Sequence, residues 1–378
     1  MSSLLSRYGE SVFWMARYFE RAESLARILE TQTSFQRGRG SDNSWAWIVA
    51  LYSDEEDFAK AFDEPTAANV IRYYLTFFDN PGSIQSSIRC ARENARALRP
   101  MLPTDMWYQL NDFYNRILAL SPTDFSEARL SRTCDIIKRG CYAQVGVAEN
   151  TMYHDETWPF FRLGLFIERA DQMSRLLDVR FAQQATGVAK DEGQYDFTFW
   201  AILLRAASAY HSYRRINPHM LNPKEVAAFL IFDPRLPRSI SYCAGEMHAM
   251  IEILRRSFGL RHASAAAEQV EQIIAGLERA RKDDGLVHRL HDFNDWIQVS
   301  LAALTTELSC AFFGYPRAPQ KQHQADIAPL SGMTQSANGQ SQSQSLGGLS
   351  QGQSQSGSAG ASQTESQTPI ASPAHSTL

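Results

Sequence analysis

The chain contains two similar eleven-residue segments whose starts lie 148 residues apart. The first reads ERAESLARILE from Glu20 to Glu30, and the second reads ERADQMSRLLD from Glu168 to Asp178. Five positions are identical, and four more keep their chemical type. Apolar residues recur at helical spacing in both segments. The repeat therefore predicts a duplicated helical unit.

Weaker similarities follow the two segments in the same order along the chain. Trp45 is matched by Trp200, and Cys90 by Cys243, at offsets of 155 and 153 residues. Similar composition of unrelated helices is the alternative explanation. The ordered matches favour a pseudo-twofold duplicated helical bundle, with halves at about 1–152 and 153–317.

Residues 1–317 are predicted to be all-α, because their apolar residues follow a helical rather than an alternating pattern. Gly and Pro punctuate the segments, as at Asn222-Pro223, where an N-cap precedes a first-turn Pro. The predicted helices are 4–35, 44–52, 55–62, 66–78, 83–98, 104–120, 126–152, 158–184, 195–214, 223–232, 237–258, 263–282 and 285–313. Residues 318–378 are rich in Gln, Ser and Gly, which predicts a disordered tail.

Composition limits the classes of partner. The 378 residues are 44% hydrophobic with a net charge of -4 and no basic stripe, so no nucleic-acid partner is expected. Five scattered cysteines without a Cys-x-x-Cys pair favour reduced thiols over disulfides. The longest apolar run, 226–232, is too short to span a bilayer. These features predict a cytoplasmic protein without membrane association.

The Glu-Arg segments place charged residues among apolar ones on helices that are apolar almost all round. Such ions need partners when buried. A pseudo-twofold would pair Glu20 with Arg169 or Arg175, and Glu168 with Arg21 or Arg27. Arginine suits such pairs because its planar guanidinium binds a carboxylate through two hydrogen bonds. The predicted central cluster consists of Arg17, Glu20, Arg21, Glu23, Arg27, Arg162, Glu168, Arg169, Asp171 and Arg175.

Two interpretations of this cluster stay open at the level of sequence. It is either an ion-pair network that fixes how the halves dock, or a polar cleft that binds an anionic or peptide-like ligand. Polar residues elsewhere are secondary candidates for the same site, with helix caps or satisfied core groups as the alternative. They are Asn94, Arg96, Asn150, Thr151, Trp158 and Arg238.

Signals for metal or nucleophilic chemistry are weak. No Glu-x-x-His pair accompanies the Glu-Arg segments, so no metal core is predicted. His288 and His291, followed by Asp292 and Asp295, could share a helix face and bind a metal, but a solvated helix end is the favoured interpretation. Cys141 and His154 could form a nucleophile–base pair only if the fold brings them together. No catalytic residue is assigned.

The chain resembles the alpha-E domain family, a bacterial all-helical family with a repeated Glu-Arg motif. The resemblance spans roughly residues 5–315 and omits the tail. It rests on these segments: RYFERAE from Arg17, ENAR from Glu93, NTM from Asn150, WPFFRLG from Trp158, IERAD from Ile167, FLIFD from Phe229 and PRS from Pro237.

The resemblance implies which proteins this chain works with more than it implies a catalytic activity of its own. Such proteins typically accompany a circularly permuted ATP-grasp protein, often with a transglutaminase-like protease. It therefore predicts an accessory partner of an ATP-grasp ligase in a peptide or amide-bond-forming, peptide-modifying pathway. One alternative is an enzyme of that pathway that binds a peptide-like substrate at the Glu-Arg cluster. A structural scaffold without a ligand is another. No cofactor is expected, and the oligomeric state stays open.

Overall fold

The computed structural model describes residues 3–36, 45–185, 195–218, 221–260 and 263–316. Every regular element within these residues is helical, which confirms the all-α prediction. The predicted tail, 318–378, lies outside the described residues. The first half contains α1 Ser3–Gln36, α2 Ala46–Tyr52, α3 Glu55–Ala61, α4 Ala67–Leu75, α5 Ile84–Ala97, α6 Thr104–Leu118 and α7 Glu127–Thr151.

The second half starts with another long helix, α8. The predicted boundary between the halves, at 152–153, falls between α7 and α8. The elements of the second half are α8 Thr157–Ala185, α9 Tyr195–Ala206, α10 Tyr210–Ile216, α11 Pro223–Phe232, α12 Ile240–Arg256, α13 Ser264–Arg281 and α14 Leu290–Leu308. Short 3-10 turns at Pro122–Phe125 and Leu286–Arg289 precede α7 and α14, and a π-helical turn at Ser309–Phe313 follows α14.

The prediction of one helix over 195–214 is wrong. Ser208 has a left-handed backbone with φ of 56°, a conformation that ends a helix. The amide of Ser208 donates to the carbonyl of Arg205, and that of Ala209 donates to Leu204. These bonds close α9, and α10 begins at Tyr210.

Side-chain caps fix the starts of the helices that surround the centre. The Ser83 hydroxyl accepts from the amide of Ser86 at the start of α5, and the Ser239 hydroxyl accepts from Tyr242 at the start of α12. Asn222 caps α11 by accepting from the amide of Lys224, as predicted. A serine thus opens the same helix in each half, consistent with the similarities in sequence.

Helices α1 and α8 form the centre of the bundle and pack along each other. Helix α1 also packs against α5 and α7, and α8 packs against α12 and α14. Counted from the start of each half, these flanking helices are the fifth and the seventh. The pairs α5–α6 and α6–α7 are likewise repeated by α12–α13 and α13–α14. The halves share one packing order, as a duplication requires, while the pseudo-twofold axis itself stays a prediction.

Within the described residues, one segment is long and apolar enough to cross a membrane, judged by length and composition only: Leu286–Phe313. In the fold, its main helix, α14, packs against α8 and α13. Ile297, Leu301 and Leu304 are buried on that side. Burial of this stripe against neighbouring helices accounts for part of its apolar character, while Val299 on the same helix is exposed. The sequence-based expectation of a cytoplasmic protein stays a prediction.

Candidate functional site

The site begins where α1 and α8 touch most closely. A Cβ atom on Gly164 would lie 2.2 Å from the carbonyl oxygen of Phe13 and 3.1 Å from the Cβ of Ala16. Only glycine fits such an approach of two backbones. The two helices run in the same direction, because Gly164 faces Phe13 and Arg169 reaches Glu20. Charged side chains one turn further along therefore meet across the contact.

Glu168 of α8 is one centre of the charged cluster and is fully buried. Arg17 donates from Nε to one carboxylate oxygen at 2.8 Å. Arg21 donates to both oxygens, at 2.7 Å from Nε and 3.1 Å from Nη2. Gln172, one turn along α8, donates a further bond at 3.2 Å. Four bonds thus satisfy a carboxylate that burial would otherwise make very costly.

The charge of Glu168 is held by these arginines. Desolvation by burial raises the pKa of the Glu168 carboxyl, but the attraction of Arg21 and Arg17 outweighs it and lowers the pKa from 4.5 to about 2. The same pair raises the pKa of the Arg21 guanidinium. At neutral pH, Glu168 is an ionised, fully bonded group and has no proton to give to a substrate.

Glu20 of α1 is the matching centre, with 3% of its surface exposed. Arg169 donates from Nη2 at 2.8 Å and from Nε at 3.1 Å. Arg238, which precedes α12, lies 2.8 Å from the same carboxylate. Burial raises the pKa of Glu20, and the attraction of Arg169 and Arg238 lowers it overall to about 2. Each half therefore supplies a buried carboxylate that the guanidinium of the other half binds.

Glu23 extends the Glu20 side of the cluster toward α7. Arg238 donates to Glu23 at 2.5 Å, and the hydroxyl of Tyr142 donates at 2.8 Å. Arg27 pairs with Glu23 one turn away and donates to Tyr142 at 2.8 Å. Burial lowers the pKa of Arg27 to about 10, with repulsion from Arg238 as the next cause. This side binds α1, α7 and the start of α12 together.

Further polar side chains surround the Glu168 side of the cluster. The hydroxyl of Tyr52 in α2 donates to Gln172 at 3.0 Å, and burial raises the pKa of that hydroxyl. Asp171 pairs with Arg175 at 2.9 Å. Burial raises the pKa of Asp171, against the lowering effect of Arg175. These contacts tie α2 to α8 beside the central ion pairs.

The predicted pairings are formed in part. Arg169 is the partner of Glu20, whereas Arg175 stays with Asp171 on its own helix. Arg21 binds Glu168, whereas Arg27 binds Glu23. The reason is the direction of each side chain around its helix. Arg27 faces α7, where Tyr142 meets it, and not α8.

Arg162 lies in a separate group, six residues before Glu168 on α8. It pairs with Glu149 near the end of α7 and, at 2.7 Å, with Glu246 of α12. Its guanidinium also lies over the ring of Phe166, 4.7 Å from the centroid. Arg162 therefore links α7 to α12, and within the described residues it forms no hydrogen bond or ion pair with Glu20 or Glu168.

Of the secondary candidates, only Arg238 joins the cluster. Asn94 donates to the carbonyl of Cys90 on its own helix at 3.0 Å. Arg96 is exposed and pairs with Glu93 at 2.7 Å. These contacts are local helix interactions, so they favour the structural interpretation for both residues.

The joint between α7 and α8 is likewise locally satisfied. Asn150 and Thr151 donate to carbonyls four residues earlier in α7. Trp158 is buried and stacks against His154, with ring centroids 4.2 Å apart. The structure therefore does not bring these three residues to the Glu-Arg cluster. Cys141 and His154 do not form a nucleophile pair either. Cys141 is buried, which raises the pKa of its thiol, and the described residues show no bond between the two.

Sequence reasoning missed several members of the site. They are Tyr52, Tyr142 and Gln172 in the Glu-Arg cluster, and Glu149 and Glu246 in the separate group around Arg162. Gln172 had a detectable signal, since it lies four residues after Glu168 on one helix face. The tyrosines had none, because each approaches from a helix distant in sequence.

The comparisons with known proteins agree with this architecture. The Alpha-E family model, described as a predicted alpha-helical domain with a conserved ER motif, matches residues 4–313. The chain belongs to the Alpha-E family. Glu20-Arg21 and Glu168-Arg169 are Glu-Arg pairs of this Alpha-E chain, and both lie at the contact between α1 and α8.

Its curated relatives are longer. An uncharacterized protein of Mycobacterium bovis is 26% identical over 336 residues, which cover 82% of this chain and 37% of that protein. An uncharacterized protein of Mycobacterium tuberculosis strain H37Rv is 25% identical with the same coverage. The chain thus matches little more than a third of the length of these relatives. No solved structure matches the chain.

Proposed function

We propose that this Alpha-E chain is a non-catalytic accessory partner of a circularly permuted ATP-grasp ligase in a peptide or amide-bond-forming pathway. One observation supports an accessory role over catalysis. The buried carboxylates Glu20 and Glu168 are bonded to arginines of the opposite half, and their pKa values are held near 2. Such groups tie the halves together, and they are poor general acids or bases at neutral pH.

The choice of partner rests on the family. ATP-grasp enzymes join a carboxylate to an amine through an acyl phosphate, and Alpha-E proteins typically accompany them. The curated relatives extend well beyond the matched region, so in those proteins the helical domain is joined to further sequence. A domain that works beside another protein or domain fits both facts. A transglutaminase-like protease is the second partner that we propose.

A specific observation favours the alternative, an enzyme that binds a peptide-like or anionic substrate. The cluster contains more guanidiniums than carboxylates. Arg21 and Arg175 are its more exposed arginines, with 25% and 29% of their side chains accessible. Positive charge at the accessible edge of a buried network would attract an anion.

The test combines capture and ligation. The full chain, tagged, is used as bait in an extract of its native host, and the captured ATP-grasp protein is then assayed for ATP-dependent joining of amines to carboxylates with and without the chain. We expect the ligase to copurify, and the chain to raise its rate. A pull-down without a ligase, together with ligation that the chain does not change, would refute the proposal.

Glu168→Gln distinguishes the alternatives. An accessory scaffold should lose thermal stability in this variant, yet still stimulate the ligase when assayed below its midpoint temperature. An enzyme should show turnover alone, and the variant should lose that turnover. Glu93→Gln is the matched control, because Glu93 is 46% exposed and pairs only on the surface of α5.

A further inference from the structure

A second group of titratable side chains lies apart from the Glu-Arg cluster, between α8 and α14. His291 Nδ1 is 2.8 Å from Oδ1 of Asp178, and His291 Nε2 is 3.7 Å from Oδ2 of Asp295. One candidate ligand atom from each residue lies within 4.8 Å of the others. Of the four residues that the sequence offered, His288, His291, Asp292 and Asp295, this group contains His291 and Asp295, and Asp178 joins them from another helix.

The charge of this group is unbalanced. Among the described residues, no lysine or arginine pairs with Asp178 or Asp295, and only the imidazole of His291 lies between them. The acidic groups of the Glu-Arg cluster, in contrast, are each bound by arginine. Two carboxylates that face one imidazole attract a cation.

The distances fit a metal ion held by one imidazole nitrogen and one carboxylate oxygen. Bonds of about 2.0–2.2 Å to a tetrahedral ion separate its ligand atoms by roughly 3.4 Å. The gap of 3.7 Å between His291 Nε2 and Asp295 closes to this value with a small side-chain rotation. Both side chains have the freedom for it, since they are 68% and 60% exposed.

Asp178 has a different position, because it faces the other imidazole nitrogen. A carboxylate that accepts from the second nitrogen of a metal-binding histidine fixes the ring orientation and raises its basicity. Asp178 is 19% exposed and comes from the packed helix α8. It is therefore suited to position the imidazole, while the exposed pair holds the ion.

We propose that His291 and Asp295 bind a divalent transition-metal ion of the Zn²⁺ type, with Asp178 orienting the imidazole and water completing the coordination. Imidazole with carboxylate favours Zn²⁺, Co²⁺ or Ni²⁺ over Mg²⁺ or Ca²⁺. The ion lies on the first turns of α14, and the bond from His291 to Asp178 connects this site to α8. Asp178 follows Glu168 by ten residues, about 15 Å along α8, so the metal site is separate from the Glu-Arg cluster. The metal proposal can therefore be refuted without affecting the proposed ligase partnership, and the reverse also holds.

The test is calorimetric titration of the reduced full chain with Zn²⁺ and with Mg²⁺. We expect one Zn²⁺ to bind saturably and Mg²⁺ to give no comparable signal. His291→Ala should weaken Zn²⁺ binding more than tenfold, and Asp178→Asn by about tenfold, as for other residues that orient a ligand. His211→Ala, the change of another exposed histidine, should leave binding intact.

Cobalt(II) absorption tests whether the cysteines, and not His291 and Asp295, bind the metal ion. We expect the bands of nitrogen and oxygen coordination without thiolate-to-cobalt charge transfer, and their loss in His291→Ala. Circular dichroism confirms that each variant is folded. Equal Zn²⁺ affinity of the wild-type chain and His291→Ala, absence of saturable binding, or a thiolate spectrum would each overturn the proposal.

Discussion

Replacing Glu168 by Gln tests whether the ion pairs hold the two halves together. The substitution keeps the shape of the side chain and removes its charge, so Arg17 and Arg21 lose their common partner. Breaking a buried pair from one side typically costs about 3–5 kcal/mol, because an uncompensated charge stays buried. We expect the free energy of unfolding at pH 7 to fall by that amount.

The pKa shift of Glu168 gives a second value for the contribution of its ion pairs to the free energy of unfolding. The pKa of Glu168 is lowered from 4.5 to about 2, a difference worth roughly 3 kcal/mol. Because the folded state has the lower pKa, this stability is fully present above pH 4.5 and is lost as the pH falls toward 2. Wild type should therefore be destabilised steeply in acid, and Glu168→Gln should show a shallower dependence.

Urea unfolding followed by circular dichroism at pH 7 and at pH 3 measures both effects. Glu93→Gln is the control, since each of the two surface ion pairs that it breaks, with Arg92 and with Arg96, is worth about 1 kcal/mol or less. A double-mutant cycle with Arg21→Gln isolates the coupling between the two side chains. If Glu168→Gln loses no more stability than Glu93→Gln, or if the cycle shows no coupling, the ion-pair argument is wrong.

Three further predictions follow from single features of the fold. Gly164→Ala should lower the free energy of urea unfolding by about 1–3 kcal/mol, because its Cβ would meet the α1 backbone. Gly146→Ala is the control, since nothing lies within 4 Å of the new Cβ, and it should be neutral or stabilising by up to about 1 kcal/mol. Arg238→Gln should lower the melting temperature by several degrees, because it removes the buried ion pairs with Glu20 and Glu23. Arg235→Gln changes a side chain that is 76% exposed and should leave the melting temperature nearly unchanged. Cys141 should resist a thiol reagent until the protein unfolds, because burial raises its pKa, and the two half-buried cysteines should react first.

The sequence alone predicted nearly all the helices, and it predicted the central pairing with two candidate arginines for each carboxylate, one of which is the partner. Helical spacing gave nearly all the long elements, and errors arose where one residue ended a helix, as Ser208 does through its left-handed backbone. The Glu-Arg repeat indicated that Glu20 and Glu168 lie at the contact of the halves, because charged residues on helices that are apolar all round require each other as partners.

The rest of the site depended on the direction of side chains and on distant helices. Spacing could not show that Arg27 faces α7 rather than α8, because Arg27 lies on nearly the same side of α1 as Glu20, whose partner Arg169 is on α8. Tyr52 and Tyr142 are single residues on helices that reach the cluster only through tertiary packing. Nothing local in their segments marks them as parts of a polar network.

The second arginine at each centre shows how the two halves have diverged. Glu168 gains Arg17 from α1, but the repeat offset of 148 places Leu165 at the corresponding position of α8. Glu20 instead gains Arg238, whose counterpart before the serine cap of α5 is Gly82. Both centres thus reach two guanidiniums by different routes. If burial requires two guanidiniums for each carboxylate, the duplication needs to preserve only the Glu-Arg pairs that bridge the halves, while the additional cation can come from whichever helix lies nearest.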